Sequence, residues 1–585
     1  MNNKLLKIFR EKASHPEMTQ RELAHQVGLS LGKVNQGLDQ LKKMGLLDAR
    51  MTLSTAGENY LQQHHPQRAV ILAAGYGMRM VPINTEQPKG LLEVDGEPLI
   101  ERLIKQLHQQ HINEIAIVVG FMKEHYEYLI DKYNVRLIVN PHYADWNNSY
   151  SLFLAKDALS NGYIVPCDVW FKNNPFSSVE DLSWYLFTDK TNYQSDWRVN
   201  SKGRVVYTKQ DGNKMVGLAY LNQSDAEELA SRLTARIDSR PFLNEFWESA
   251  LIERRQFLIG GQVISDRDYA EINSYEELRD LDGSSSHLKN DAISAIEQAL
   301  GVTVQDIHDI HVLKKGMTNR SFIFKCHDRH YIMRIPGEGT AKLIDRRAEY
   351  DVYRQVEKLP YVEKTLYLNP ENGYKLTQFI EHSHNCDANN WDEVQKCMQL
   401  LRKMHGEGLK VGHQFDVYRQ LEFYESLQHG DSAYRDYEEV KARVEQLRSF
   451  VDGLDKEWTL CHIDANPDNF VFDGDNHLYL IDWEYAGMQD PHIDIAMFAI
   501  YAMYDQSQLD RLIDAYFGGP IDTLTRYKIY AYVAICGLLW SNWCEYKQSL
   551  GLDFGEYSLA QYRYAKEYSK KVLKYLKEEN YGNNR

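Results

Sequence analysis

Three things are scarce in this chain of 585 residues: paired cysteines, long apolar runs and positive charge. The seven cysteines are scattered, with no C-x-x-C pair and no spacing of metal-ligand type. That excludes a disulfide scaffold or zinc ribbon and predicts free thiols in a reducing cytoplasm. The most apolar late stretch, Ile529 to Trp540, falls short of the roughly 20 residues a membrane span needs, so no membrane partner is expected. The first residues are polar and charged, which predicts no signal peptide. A net charge of −16 argues against nucleic-acid binding by the protein as a whole but leaves room for a local basic module. There is no internal repeat and no long low-complexity tract. What remains is an ordinary globular composition, 43% hydrophobic and 26% charged, in a chain too long for one core, so several domains are expected.

The pattern divides into three segments. Residues 1–65 read as a winged helix-turn-helix, mainly α. Gln20 to Ser30 has a helix–turn pattern with Gly28 at the turn and Ser30 as N-cap. The next helix, Leu31 to about Met44, buries Val34, Leu38 and Leu41 at helical spacing. Nine Lys and Arg face six Asp and Glu here, a charge of +3, which leaves −19 for the rest. Lys33, Asn35 and Gln36 stand where a recognition helix would meet DNA; a protein-docking role fits the same fold. Residues 66–282 alternate strands (Arg68 to Ala74, Ile115 to Val119, Arg136 to Val139, Tyr163 to Pro166) with helices such as Pro98 to Gln110. That order predicts an α/β, Rossmann-like domain with a mostly parallel sheet. Gly283-Ser-Ser-Ser-His287 reads as a flexible linker. Residues 290–585 open with strand signals and turn helical, the order of a two-lobed, protein-kinase-like α+β domain.

The loop Gly75-Tyr-Gly77-Met-Arg79 follows a strand and is expected to open a helix, with backbone amides free for phosphate. With Pro88-Lys89 behind it, the run Leu72-Ala73-Ala74-Gly75-x-Gly77-x-Arg79 resembles the sugar-phosphate nucleotidyltransferase superfamily. The resemblance implies that this run binds the nucleotide. Arg79 would hold the β/γ-phosphates and Lys89 would neutralise the α-phosphate or the incoming ester. It also implies Mg²⁺ on carboxylates. Asp168, at the carboxyl edge of a strand, is one candidate ligand. Asn273, in Glu271-Ile-Asn273-Ser-Tyr-Glu-Glu-Leu278, replaces the family's usual Asp as the other. The polar loop Asn140 to Ser151 is similar to one in CTP:phosphocholine cytidylyltransferases, which makes Asn147 and Ser151 substrate contacts.

His462-x-Asp464-x-x-x-x-Asn469, with Asp482 thirteen residues on, has the spacing of a kinase catalytic loop and its second metal ligand. Asp464 would accept the hydroxyl proton; Asn469 and Asp482 would hold Mg²⁺. Ile481-Asp-Trp-Glu484 in place of D-F-G resembles the choline kinase and aminoglycoside phosphotransferase superfamily. That resemblance gives Asn319, Arg334, Glu349 and Gln378 to ATP, with Glu349 pairing Arg334. A quaternary ammonium needs aromatic faces and an anion. Trp540-x-x-Trp543 matches the W-x-x-W of choline kinases, Tyr562 or Tyr564 resembles the downstream cage tyrosine, and Glu484 supplies charge. In the earlier domain Asp196-Trp197 and Phe246-Trp247-Glu248 are aromatic–acid pairs suited to a second cage.

The resemblance therefore implies one bifunctional enzyme. Choline and ATP give phosphocholine, and phosphocholine and CTP give CDP-choline and pyrophosphate, with Mg²⁺ at both sites. Two other readings stay open here: the same chemistries on ethanolamine or on a sugar with UTP, and a transcriptional regulator whose catalytic domains sense ligands. The oligomeric state is open as well.

Overall fold

The structure is a computed structural model and describes residues 1–83, 87–193, 195–313, 319–337, 343–428, 430–549 and 554–582. The chain divides into two units, Met1–Ser294 and Ala295–Arg585. In the first unit, helices Asn3–Ser14, Gln20–Val27 and Leu31–Lys43 precede a bridge between Leu47 and Leu53 and a fourth helix, Thr55–Gln63. Thr19 and Glu22 form a capping box that starts the second helix, and Gly28 ends it at φ 65°, a left-handed conformation that costs glycine nothing. Val34, Leu38 and Leu41 are buried against Phe9, Leu23 and Leu46, as their spacing predicts. Ser30 stands at the N-cap position, but its side chain makes no capping bond. Lys33, Asn35 and Gln36 are exposed.

This helical segment is fastened to the sheet behind it. Arg10 lies 2.8 Å from Glu180, whose side chain is only 3% exposed. Glu180 also accepts from Trp184 Nε1 at 3.0 Å and from Tyr163 OH at 3.1 Å. Burial raises the Glu180 carboxyl, and Arg10 opposes that. His64 adds a contact to Asp181 at 3.2 Å.

The central sheet has seven strands, in the order Gly260–Ile264, Trp184–Asn192, Gly212–Leu221, Gly162–Pro166, Arg68–Ala73, Glu114–Val119 and Arg136–Val139. Only Gly212–Leu221 runs antiparallel to both its neighbours; the other pairings are parallel. Side chains alternate between two cores. Ala69, Ile71 and Ala73 enter one with Ile115 and Ile117, while Val70, Leu72 and Ala74 enter the other with Ala116 and Val118. This period of two, buried on both faces, is why the strand reads as an unbroken apolar run. Two local expectations change. The glycine loop opens a 3-10 turn, Met78–Met80, not an α-helix. The Gly283–His287 stretch is anchored, because Ser284 bonds Asp282 and the buried Ser285 donates to Glu93 O at 2.8 Å.

The second unit begins its described β-structure with a five-stranded antiparallel sheet in the order Ile307–Val312, Asn319–Cys326, Arg329–Pro336, Lys375–Gln378, Thr365–Leu368. Helix Arg346–Val356 follows the third of these in sequence, and the remaining chain is largely helical. The apolar run Ile529 to Trp540 lies inside helix Thr523–Ser549, whose residues from Lys528 to Cys544 are buried. Gly537 lets helix Glu556–Gly582 approach: a Cβ there would stand 2.7 Å from Gln561 O. The run is apolar because it is the centre of a core. No described helix is long and apolar enough to cross a membrane.

Truncating one partner of a buried ion pair strands the other, at a cost of about 3 kcal/mol or more. Glu180→Ala is therefore expected to speed hydrogen exchange across Asn3–Ser14, while an Arg10→Leu/Glu180→Leu double variant recovers part of the protection. Unchanged exchange in the single variant would show that the pair does not hold the segment down.

Candidate active sites

Each unit has one large cavity carrying the predicted chemistry. In the first unit it measures about 960 Å³ and opens at the carboxyl ends of the parallel strands, where open α/β sheets bind ligands. Leu72, Ala74, Gly75, Gly77, Arg79 and Lys89 line it. Ala73 does not, because its methyl faces the opposite core. Gly77 takes φ 61° to start the 3-10 turn, which places Arg79 over the cavity. A second 3-10 turn, Lys89–Leu91, delivers Lys89.

The Lys89 ammonium bonds the Asp168 carboxylate and donates to Asn273 Oδ1 at 2.8 Å. Arg79 donates to the same oxygen at 3.1 Å. Asn273 Nδ2 in turn donates to Glu271 Oε1 at 2.7 Å, and Lys214 lies 3.1 Å from Glu271 Oε2. Burial opposes ionisation of Glu271, but Asn273 and Lys214 hold it below the usual carboxylate range. The backbone of Asn273 is fixed by Glu277, which accepts from Asn273 N at 2.6 Å and from Ser274 N at 3.1 Å as it caps helix Tyr275–Leu281. Asp168, Glu271 and Asn273 thus present oxygen donors among three cations, Lys89, Arg79 and Lys214, a set that fits a hard divalent ion. Glu271 and Lys214 belong to this cluster and were not predicted; the E-x-N spacing was the signal for Glu271.

Asn147 and Ser151 line the cavity too. Asn147 caps helix Asn148–Leu154 and donates to Asn244 O at 3.3 Å, while Ser151 Oγ accepts from Asn140 at 2.9 Å. The proposed tryptophan contacts need correction. Trp197 packs edge-on against Phe257 at 5.3 Å, in the core beneath its strand. Trp247 is 1% exposed in the same core. Its turn, Trp247–Leu251, sends neighbouring side chains different ways, so Phe246 and Glu248 reach the cavity instead, with Tyr143, Trp146 and Tyr185. Glu248 accepts from Tyr185 OH at 2.9 Å, and its other oxygen is buried without a hydrogen-bond partner among the described residues. Burial pushes this carboxyl up to about 7.

The second unit's cavity measures about 830 Å³ and is lined by Arg334, Gln378, Asp464, Asn469, Asp482 and Glu484. Arg334 binds Glu349 through two bonds, 2.6 and 2.9 Å. Burial disfavours the Glu349 anion, yet the guanidinium outweighs it and holds the carboxyl down at about 2. The Asn319 side chain, expected to bind ATP, lies outside what the structure describes, as do residues 314–318 before it. Asn469 Nδ2 donates to Asp464 Oδ2 at 3.0 Å and to Asp464 O at 2.8 Å. Asp494 accepts from His462 N at 2.8 Å and Ile463 N at 2.7 Å, holding the loop. Burial, and then the charge of Asp482, push Asp464 up to about 7. Beside Asp464, Asn469 and Asp482 offer side-chain oxygens suited to a divalent ion.

Beside Asp464 stand five rings: Tyr485, Tyr501, Trp540, Trp543 and Tyr557. Trp540 lies 5.9 Å from Tyr485, 5.4 Å from Tyr501 and 5.6 Å from Trp543. Tyr562 does not join them. It stacks on Tyr434 at 3.8 Å and bonds Asp436 at 2.9 Å; Tyr557, from the start of the same helix, takes the place foreseen for it. Tyr564 bonds Tyr504 O at 2.6 Å. Glu484 reaches the cavity but is engaged by Arg346 at 3.2 Å, so it is no free counter-ion.

Family comparisons agree with this division. Residues 69–176 match the MobA-like NTP transferase domain, 309–530 the phosphotransferase enzyme family, and 1–48 a winged helix-turn-helix DNA-binding model. The choline-phosphate cytidylyltransferase of Streptococcus pneumoniae is 32% identical over 224 residues, 37% of this chain and 96% of that protein. The 2-aminoethylphosphonate cytidylyltransferase of Lancefieldella rimae is 30% identical over 224 residues, 37% of this chain and 91% of its own. A crystal structure of choline kinase LicA from Streptococcus pneumoniae is 27% identical, covering 48% of this chain and 98% of its own, with a TM-score of 0.43. Each cavity draws lining residues from one of the matched regions, and the chain is a bifunctional transferase: it belongs to the cytidylyltransferases among the NTP transferases, joined to a kinase of the phosphotransferase enzyme family and headed by a winged helix-turn-helix.

Proposed function

We propose that the second unit phosphorylates choline with ATP and that the first couples the phosphocholine to CTP, giving CDP-choline and pyrophosphate. The observation that carries this reading is the ring of five aromatic side chains beside Asp464. Ring faces attract a desolvated quaternary ammonium, and that places the hydroxyl of choline toward the carboxylate. Asp464 takes the hydroxyl proton as the oxygen bonds the γ-phosphorus and ADP leaves. Arg334, fixed by Glu349, faces the ATP phosphates with Gln378 on the cavity wall. Mg²⁺ on Asn469 and Asp482 would neutralise phosphate charge.

In the first unit a phosphate oxygen of phosphocholine bonds the α-phosphorus of CTP, and the bond to pyrophosphate breaks. Lys89 and Arg79 exchange their carboxylate and amide partners for phosphate oxygens and offset the developing charge. Mg²⁺ on Asp168, Asn273 and Glu271 would neutralise the triphosphate. Glu248, with its unpartnered oxygen, supplies an anion for the trimethylammonium head. The alternatives are not favoured. The bacterial relative at 32% identity is named for choline phosphate, and both carboxylate sets are intact, as turnover requires and sensing does not. The exposed Lys33, Asn35 and Gln36 suit a contact with duplex DNA.

Incubation with choline, ATP, CTP and Mg²⁺ is expected to yield CDP-choline by mass spectrometry, in preference to products from ethanolamine, 2-aminoethylphosphonate or sugars. Asp464→Ala should abolish phosphocholine formation and spare CDP-choline formation from supplied phosphocholine; Lys89→Ala should do the reverse. No turnover of any amino alcohol by the wild type would end the reading. Trp540→Ala should raise KM for choline roughly three- to thirtyfold, the equivalent of the lost cation–π contact, and leave KM for ATP unchanged; an unaltered choline KM removes Trp540 from the cage. Glu248 is protonated below about pH 7, so cation binding weakens as pH falls. KM for phosphocholine should climb about tenfold from pH 8 to pH 6, and Glu248→Gln should be flat at the higher value. A wild-type slope retained in Glu248→Gln would assign the titration elsewhere.

A further inference from the structure

The kinase cavity contains a buried cation that none of the roles above employs. Lys375 begins strand Lys375–Gln378 and stands directly opposite Arg334 in register. Opposed residues project from the same sheet face, so two cations lie side by side. The Lys375 side chain is 8% exposed, yet it borders the cavity. Its ammonium donates to Tyr353 OH at 2.5 Å and to Glu363 Oε1 at 3.2 Å. Tyr353 OH itself donates to Glu363 Oε1 at 2.6 Å, closing a triangle. The same ammonium lies 3.9 Å from Asp482 Oδ1, with Arg334 3.6 Å from that oxygen. Asp482 Oδ1 is buried and has no hydrogen-bond partner among the described residues. Its backbone is left-handed at φ 65°, a conformation that persists in a non-glycine residue only where its surroundings enforce it.

A buried ammonium needs one carboxylate, and Glu363 already supplies it. The arrangement therefore does more than neutralise Lys375. It aims a second cation at the carboxylate that the kinase reading gives to the metal. We propose that Lys375 is a positioning residue of the kinase site, held by Glu363 and Tyr353 so that, alongside Arg334, it restrains the Asp482 carboxylate and competes with the divalent ion for it. The proposal rests on the kinase reading. The competition gives it a signature that a packing role lacks. Lys375→Met removes a competing cation, so metal should bind more tightly while turnover falls. Glu363→Gln removes the anion that draws Lys375 away, so metal should bind more weakly.

The test is a Mn²⁺ titration of the full chain with ADP, read by electron paramagnetic resonance, which needs no catalysis. Half-saturation should drop about threefold or more in Lys375→Met and rise by a similar factor in Glu363→Gln, as expected for a charge about 4 Å away at a partly screened site. Choline phosphorylation should lose about tenfold or more in kcat in Lys375→Met, and Lys375→Arg should restore most of it. If Lys375→Met does not fold, the shift in Glu363→Gln decides. Half-saturation unmoved in both variants, or shifted in the same direction in both, overturns the proposal. Failure of the kinase reading looks different: the wild type then binds Mn²⁺ with ADP but leaves choline untouched.

Discussion

A lysine or arginine removed from water must be matched by an anion, and both cavities are organised around that requirement. Phosphate chemistry demands cations where the substrate's charge will sit, but the empty site must still fold. Lys89 therefore closes onto Asp168 and Asn273, and Arg334 onto Glu349. In each cavity the groups that meet the cations are the oxygen donors a divalent ion would use, or lie beside them. Each cavity is neutralised internally, and a metal–nucleotide would bring cation and anion together to replace that pairing in kind. The desolvation cost is met during folding and is not charged again when substrate binds.

The two cavities differ in how firmly that charge is held. Arg334 and Glu349 are nearly inaccessible, 5% and 0% exposed, and their two parallel hydrogen bonds fix the plane of the guanidinium. Lys89 and Asp168 remain 13% and 19% exposed and meet through single contacts. A kinase transfers the terminal phosphoryl group and gains from a rigid phosphate floor. A nucleotidyltransferase must follow negative charge from the α-phosphate to departing pyrophosphate, and a lysine on a flexible stem can do so.

The residues that gather at each cavity's polar end were legible in the sequence because their spacing is local. The glycine loop with Arg79 and Lys89, and the Asp464–Asn469–Asp482 spacing, are set by strand–turn geometry within one stretch of chain. The sheet was legible for the same reason, since Val70, Leu72 and Ala74 alternate with Ile71 and Ala73 into two cores. Which aromatic rings line the cavities was not. Whether an aromatic ring faces a cavity or a core depends on the phase of its turn: Trp247 turns inward while Phe246 and Glu248, one residue to either side, face the cavity. Tyr557 and Tyr562 share a helix but lie five positions apart, nearly one and a half turns at 3.6 residues per turn, so they point to different sides. Lys375 and Glu363 carry no motif at all. The placing of Lys375 opposite Arg334 is set by strand register, which no short-range pattern encodes.

Strain locates the remaining control in the kinase unit. Ile463, immediately before Asp464, sits at φ 69°; a β-branched residue pays about 1–2 kcal/mol there. The buried Asp494 carboxylate accepts from both Ile463 and His462 amides and from His405 at 2.9 Å. Charge-assisted bonds of this kind contribute about 1.5–3 kcal/mol each, enough to outweigh the torsion. Asp464 is thus aimed by a carboxylate that does not itself line the cavity. Asp482 is left-handed for a related reason, with Arg334 and Lys375 near its inner oxygen. Both carboxylates are therefore backed by buried charge, Asp464 through the loop that Asp494 holds and Asp482 through Arg334 and Lys375.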